Sequence, residues 1–556
     1  MKARAALAIT CLLVAGAAGC STSKTAKPSS EAAKVETPTA PFFSDIGSYH
    51  HPITTDSKLA QRYFDQGLTL AYAFNHAEAV RSFHAGAAAD PNCAMCYWGA
   101  SFALGTNINA PMAPENAKPA WEALQKARAN AKRASKHERA YIDALSVRYA
   151  KNPPKDRSAL DKAYAEEMRK VMEKYPDDLD AATICAEAAM DTMPWDYYLP
   201  DGSPKPLAKE IFATLEGVLA RDPNHIGAIH FYIHAVEASS TPERAEAPAD
   251  RLVNLISGAG HLVHMPSHIY YRVGRYDDAA KVNVLAAKAD ESYITQCKAQ
   301  GFYPALYYPH NVHFLAAAAA EDGRSKLSIE SARKLYDLAP DSQFEEYPVL
   351  EDFRPVYWYA LARFGKWNEI LKLPAPKSTL RFSTGMWHYV RGLASVKLGR
   401  VATAKKERAL LASIEAEPKL IGFKLMSGSS ADQLLGIAGD VLDASIARAK
   451  GERATEIAAL EKAVAMQDSL PYTEPPPWYF PVRHALGDAL LRAGRTKDAE
   501  AVYRADLEKN RGNGWALYGL AEALRAQGKT AEADAVMRDF TTSWARADTK
   551  PTTAYR

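Results

Sequence analysis

From about residue 57 to residue 545 small and large apolar residues recur at helical spacing, with charged residues between them. In the first stretch the recurring positions are Tyr63, Gly67, Leu70, Ala79, Phe83 and Pro91. The same phase returns near the other end at Leu486, Gly487, Gly494, Ala499 and Tyr503, then at Gly528 and Ala533. Gly274-Arg275-Tyr276 with Ala279 and Ala286, Gly323 with Pro340, and Gly399 with Ala404 keep it in between. Small residues let paired helices approach closely, aromatics fill the gap between pairs, and proline ends the second helix. Period-two alternation is almost absent, which leaves little room for a sheet. The pattern predicts an all-α array of helical hairpins, strong at both ends and weak around 137–220.

This spacing resembles the roughly 34-residue tetratricopeptide repeat (TPR). The resemblance implies a TPR-type helical-hairpin solenoid with a concave groove, a fold most often used to dock a protein or peptide partner. The stretches YAFNHAEAVRSF, DPNCAMCYWG, HMPSHIYYRVG and EPPPWYFPVR are similar to a group of large bacterial TPR proteins. That similarity implies a fold and no reaction.

Composition adds exclusions. The 556 residues carry 68 Lys+Arg against 65 Asp+Glu, a net +3 that gives no electrostatic footprint for nucleic acid. At the start, Lys2 and Arg4 precede an apolar run from Ala5 to Ala18, too short to span a bilayer comfortably. The run ends in Ala17-Ala18-Gly19-Cys20, which resembles a bacterial lipobox, although Ala17 stands where leucine is usual. The resemblance implies cleavage before Cys20, acylation of that cysteine, and with Ser21 next a place in the outer membrane facing the periplasm. Residues 21–41 read as a flexible tether with a reach of roughly 25 Å. The expected organisation is a signal peptide at 1–19, a lipidated tether at 20–43 and an N-terminal repeat unit at 44–135. A degenerate helical region at 136–225 leads to His-rich central repeats at 226–342, with an insertion at 294–308. Degenerate repeats at 343–472, C-terminal repeats at 473–545 and a tail at 546–556 complete it.

The histidines carry the candidate chemistry. Seven of the 15 fall in one third of the chain: His230, His234, His261, His264, His268, His310 and His313. Taking Pro223 and Pro340 as repeat ends starts repeats at Ile226, Gly260 and Pro309. By the TPR resemblance the groove positions are then His230, His234 and Glu237; His261, His264, His268, Tyr271 and Arg272; and His310, His313 and Glu321. Residues three and four apart share a helix face, and packed helices lie about 8–10 Å apart. A single ion could therefore draw on His264 and His268 with His230 or His234. Three readings stay open: a transition-metal site, a groove for an anionic or peptide ligand, and purely structural use. Imidazoles with a carboxylate suit Zn²⁺ or Cu²⁺ rather than Ca²⁺ or Mg²⁺. With an open metal position, Glu237 would be the base or fourth ligand and Arg272 an oxyanion partner. No HExxH, GxSxG or Walker A motif is present.

Cys93 and Cys96 form a CxxC at a helix start, suited to a structural disulfide, a redox pair or a soft-metal pair; Tyr97 stands where c-type haem attachment needs histidine. The pairing of Cys185 and Cys297 stays open. The aromatic insertion Ile294 to Tyr308 is either a lid over the groove or a connection along the solenoid edge. Glu474 to Pro481 reads as an extended, rigid corner. His484 and Asp488 are a lone groove pair, and His76 reads as a packed residue.

Overall fold

The computed structural model describes residues 40–298 and 303–555. The signal peptide, Cys20 and most of the tether lie outside them. Among the described residues the chain forms helices joined by short turns, with three isolated bridges and no strand. Antiparallel hairpins follow one another from Lys58–Tyr72 with His76–Ala89 to Gly514–Arg525 with Thr530–Ser543. They continue through the stretch where the pattern is weakest, as Lys136–Ser146 with Ser158–Lys174 and Leu179–Asp191 with Pro206–Arg221. There Tyr141, Tyr164 and Met168 are buried in the core.

Packing begins earlier than expected. Ala40 is buried and Phe42 stacks on Tyr63 at 4.3 Å, so the described end of the tether already lies on the first hairpin. The next residues are pinned by Asp180, which accepts from the Tyr49 and Tyr72 hydroxyls and pairs with His51 at 2.6 Å. The tail also packs back. Asp548 accepts from the Ser325 backbone N–H, and Tyr555 stacks on Phe480 at 5.1 Å.

Two features of this winding position the histidines. The first hairpin comes against the helix Ile226–Val236, so closely that a Cβ on Gly227 would lie 2.7 Å from the Tyr72 ring. At the other end the C-terminal repeat folds back on the helix Tyr308–Glu321: Trp515 donates to Ala320 O at 3.0 Å and Asn513 to Glu321 Oε2 at 2.6 Å. The central repeats are covered from both sides. The expected open groove is therefore corrected along the histidine row: His230, His234, His261, His264 and His268 are buried.

Candidate functional site

The helices that carry the histidines start where the repeat phase places them. Ile226–Val236 is capped by His225, whose Nδ1 accepts from Ala228 N–H at 3.2 Å. Gly260–His264 starts against Asp290, whose Oδ1 would lie 1.9 Å from a Cβ at position 260. Pro266 removes one N–H and interrupts the helix, yet Met265 keeps helical angles, so His268 in Pro266–Val273 stays in phase with His264. Tyr308–Glu321 supplies His310.

The imidazoles form two adjoining sets. In the first, potential ligand atoms of His230, His234 and His261 all lie within 4.8 Å of one another; in the second, those of His264, His268 and His310 do. The expected grouping of His264 and His268 with His230 or His234 is thus replaced. His310 from the following repeat completes their set. A metal held by bonds of about 2.1 Å keeps tetrahedral ligands about 3.4 Å apart, so the widest separation in either set closes by at most about 1.4 Å on binding.

Hydrogen bonds fix which nitrogen is available. His230 Nδ1 donates to Tyr72 O at 2.6 Å, leaving Nε2 as a lone pair 3.1 Å from His261 Nε2. Asn283 donates its amide to Ala279 O at 2.8 Å, so its Oδ1 must accept from His264 Nδ1, at 2.7 Å. His268 Nδ1 faces Glu474 Oε2 at 3.2 Å and Glu237 Oε2 at 3.0 Å. The Nε2 atoms of His264 and His268 meet at 2.9 Å; that of His264 is a lone pair, and the proton on His268 sits on either ring nitrogen according to whether the facing carboxyls are ionised. Metal-ligating histidines are held in this way, through a carbonyl, amide or carboxylate on the far ring nitrogen. His234 is buried with neither ring nitrogen hydrogen-bonded, and His261 Nδ1 also lacks a partner. A buried polar group left without a partner costs about 1–3 kcal/mol.

Burial and neighbouring imidazoles hold His230, His261, His264 and His310 well below the ordinary histidine range. His234 is held down by burial and by His268. Neutral imidazole is the ligating form. Burial pushes Glu237 and Glu474 up to about 8, with each other's charge adding to the rise at Glu237.

Aromatic residues wall the site. Phe74 lies 4.5 Å from the His230 ring and 5.2 Å from His261, Tyr307 is 4.7 Å from His261, and Phe314 is 5.1 Å from His264. Trp195 stands edge-on to His234 at 5.1 Å and is 47% exposed. Phe74 and Trp195 both have left-handed backbone, φ 57° and 60°. That conformation is strained for bulky side chains, and such strain gathers at functional sites.

Several expected site residues lie elsewhere. His313 packs against Phe353 at 5.9 Å, one turn away from the converging set. Glu321 joins Asn513 at the interface with the C-terminal repeat. Tyr271 packs on Tyr276 and Phe314. Arg272 donates to the carbonyls of Glu237 and Ser239 at 2.7 and 3.1 Å, which commits its guanidinium to closing helix ends rather than to an oxyanion. Glu474 is a site residue that the repeat phase does not mark: it lies in the segment expected to be a rigid corner, and its carboxylate reaches His268 across 206 residues of chain. The acid directly before three prolines was the available signal.

Of the aromatic insertion, Ile294 to Cys297 finishes the helix Tyr276–Cys297, while Tyr303 donates to Asp290 at 2.8 Å and Tyr307 covers His261. Cys93 and Cys96 are joined in a disulfide, and Cys185 and Cys297 are free thiols. His484 pairs with Asp506 at 2.9 Å, and His76 stacks on Phe74. His51 with Asp178 and Asp180 forms another compact cluster. Its carboxylates are taken by Tyr49, Tyr72, Tyr141 and the cap of Leu179–Asp191, which makes it a structural junction.

Residues 490–539 match the tetratricopeptide repeat family model. No curated protein matches the chain. Among solved structures, the human IFIT1 dimer with m7Gppp-AAAA is similar at 11% identity over 89% of this chain and 92% of that one, with a TM-score of 0.33. Yeast Tom70 is similar at 10% identity over 86% and 89%, with a TM-score of 0.29. The described residues form an all-α array of helical hairpins, of which residues 490–539 match the tetratricopeptide repeat.

Proposed function

We propose that this protein is an envelope-anchored TPR metalloprotein whose central histidines hold a transition metal. The observation that carries the reading is the pair His264 and His268. Asn283 holds the proton of His264 on Nδ1, so His264 Nε2 is a lone pair; it lies 2.9 Å from His268 Nε2, and His310 completes a set of three imidazoles. Buried neutral imidazoles that converge with a lone pair available, held from the far ring nitrogen, are the donor set a transition metal takes. Zn and Cu are the ions that suit such donors, and the residues supply binding, with storage, delivery or hydrolysis as its possible uses. The test is metal content of the chain exported to the periplasm and purified without chelator or affinity metal. Near-stoichiometric Zn or Cu, lost in a His264→Ala/His268→Ala variant, is expected. A parent that is empty and takes up no added metal overturns the reading.

A TPR solenoid also commonly docks a protein or peptide, and a partner is part of the proposal. The burial of the histidines directs such a partner to the outer faces or to the C-terminal repeats. Anchoring rests on Cys20 and its lipobox-like surroundings, and the Cys93–Cys96 disulfide suits an oxidising compartment. Cys20→Ser should move the protein from the membrane pellet to the soluble fraction; unchanged pelleting refutes the anchor.

A further inference from the structure

The two histidine sets differ from a single centre in a way that bears on both number and kind of ion. Each set has three imidazoles and no carboxylate or thiolate among its members. The sets touch: the rings of His234 and His268 are 5.7 Å apart, and those of His261 and His264 are 6.0 Å apart. No one ion reaches all six nitrogens with bonds of about 2.1 Å in four-coordinate geometry. We infer that the six imidazoles form two adjacent three-nitrogen copper sites, His230/His234/His261 and His264/His268/His310. This rests on the transition-metal reading above.

Charge selects among ions that accept imidazole. The cost of burying an ion grows steeply with its charge unless nearby groups neutralise it. Around the sets stand two carboxyl groups, Glu237 and Glu474, with Arg272 Nε at 4.0 Å from the latter. Two divalent ions would bring four positive charges into a wall of Phe74, Tyr307 and Phe314, whereas two cuprous ions bring two. Three nitrogen donors satisfy a monovalent copper ion without a fourth ligand, whereas zinc on three histidines completes its shell with a water, which the aromatic wall disfavours. Both carboxyls face His268 from its Nδ1 side, Glu237 also lies 3.6 Å from His234 Nδ1, and with His268 they form a compact group of their own beside the two imidazole sets. The Nδ1 side is the placement by which an outer carboxylate raises the basicity of an imidazole. Trp195, a half-exposed ring, lies edge-on to His234.

The test uses the full chain in detergent, stripped of metal and reloaded anaerobically with Cu(I) against a competing chelator. Two copper ions per chain are expected, with X-ray absorption showing three nitrogen neighbours per ion. His261→Asn should keep one equivalent and lose the other, and His264→Asn should do the same for the second set. Circular dichroism checks folding; if His264→Asn unfolds, the half-buried His310→Asn reads the same set. One ion per chain, abolished by a substitution in either set, overturns the paired site and leaves the transition-metal reading standing. Two ions that equimolar Zn²⁺ displaces overturn the copper assignment. Retention of no metal at all overturns both.

Discussion

Replacing Asn283 by leucine isolates the orientation of one imidazole from the bulk of the site. Asn283 is fully buried on Tyr276–Cys297, and its amide links Ala279 O to His264 Nδ1 through bonds of 2.8 and 2.7 Å. Leucine has the same branching and number of side-chain heavy atoms, with larger methyl groups, and good helix propensity, so the substitution removes an acceptor while keeping the space filled. In the metal-free protein His264 Nδ1–H then loses its partner, which costs about 1–3 kcal/mol. Ser267 Oγ, 3.2 Å from the same nitrogen, is a substitute acceptor and places the effect near the lower end. With metal, the ring is free to turn its Nε2 away from His268. Loss of such an outer contact weakens binding about 10–100-fold, or about 1.4–2.8 kcal/mol. Urea unfolding of the metal-free form reads the first quantity, and competition against a chelator of known affinity reads the second. If stability falls while metal affinity stays within about twofold of the parent, Asn283 is a packing residue and the tautomer argument fails.

Three further outcomes follow from the geometry. His310 is held neutral by burial and by neighbouring imidazoles, so below pH 6.5 the unfolded chain takes up a proton there that the folded chain does not. The metal-free stability of the parent minus that of His310→Asn should therefore fall by about 1.4 kcal/mol between pH 7.5 and 5.5; a constant difference in paired urea titrations refutes the buried neutral state. Gly227→Ala pushes a Cβ to 2.7 Å from the Tyr72 ring and should cost about 1–3 kcal/mol by overpacking, partly offset by about 1 kcal/mol of helix propensity. A variant more stable than the parent in urea means that the first hairpin does not close on Ile226–Val236. Trp515→Ala empties a fully buried indole site and breaks its bond to Ala320 O, with an expected loss of about 3–5 kcal/mol. Limited proteolysis should then cut first near the C-terminal hairpins; an unchanged pattern refutes their docking on the central repeats.

The helical hairpins were legible in the chain because close helix packing leaves a local record. Small residues such as Gly67 and Gly487 recur opposite Phe83 and Tyr503, and the Cβ each glycine lacks would meet those rings at 2.7 and 2.4 Å. The repeat phase placed the starts of Ile226–Val236 and Gly260–His264 at their first residues, and Tyr308–Glu321 within one. Residues three and four apart on a helix share a face whatever the rest of the chain does, so His230 with His234 and His264 with His268 could be paired from sequence alone. Which pairs meet which neighbours could not. That depends on the superhelical winding, a sum of small rotations between hairpins that no single repeat encodes. The winding turned the expected groove inward, gave His264 and His268 the partner His310, left His313 outside, and sent Glu321 to Asn513. It also carried Glu474 to His268 from far along the chain. Local spacing determined the helices and the faces they present; the closure of the solenoid on itself decided which faces became the interior.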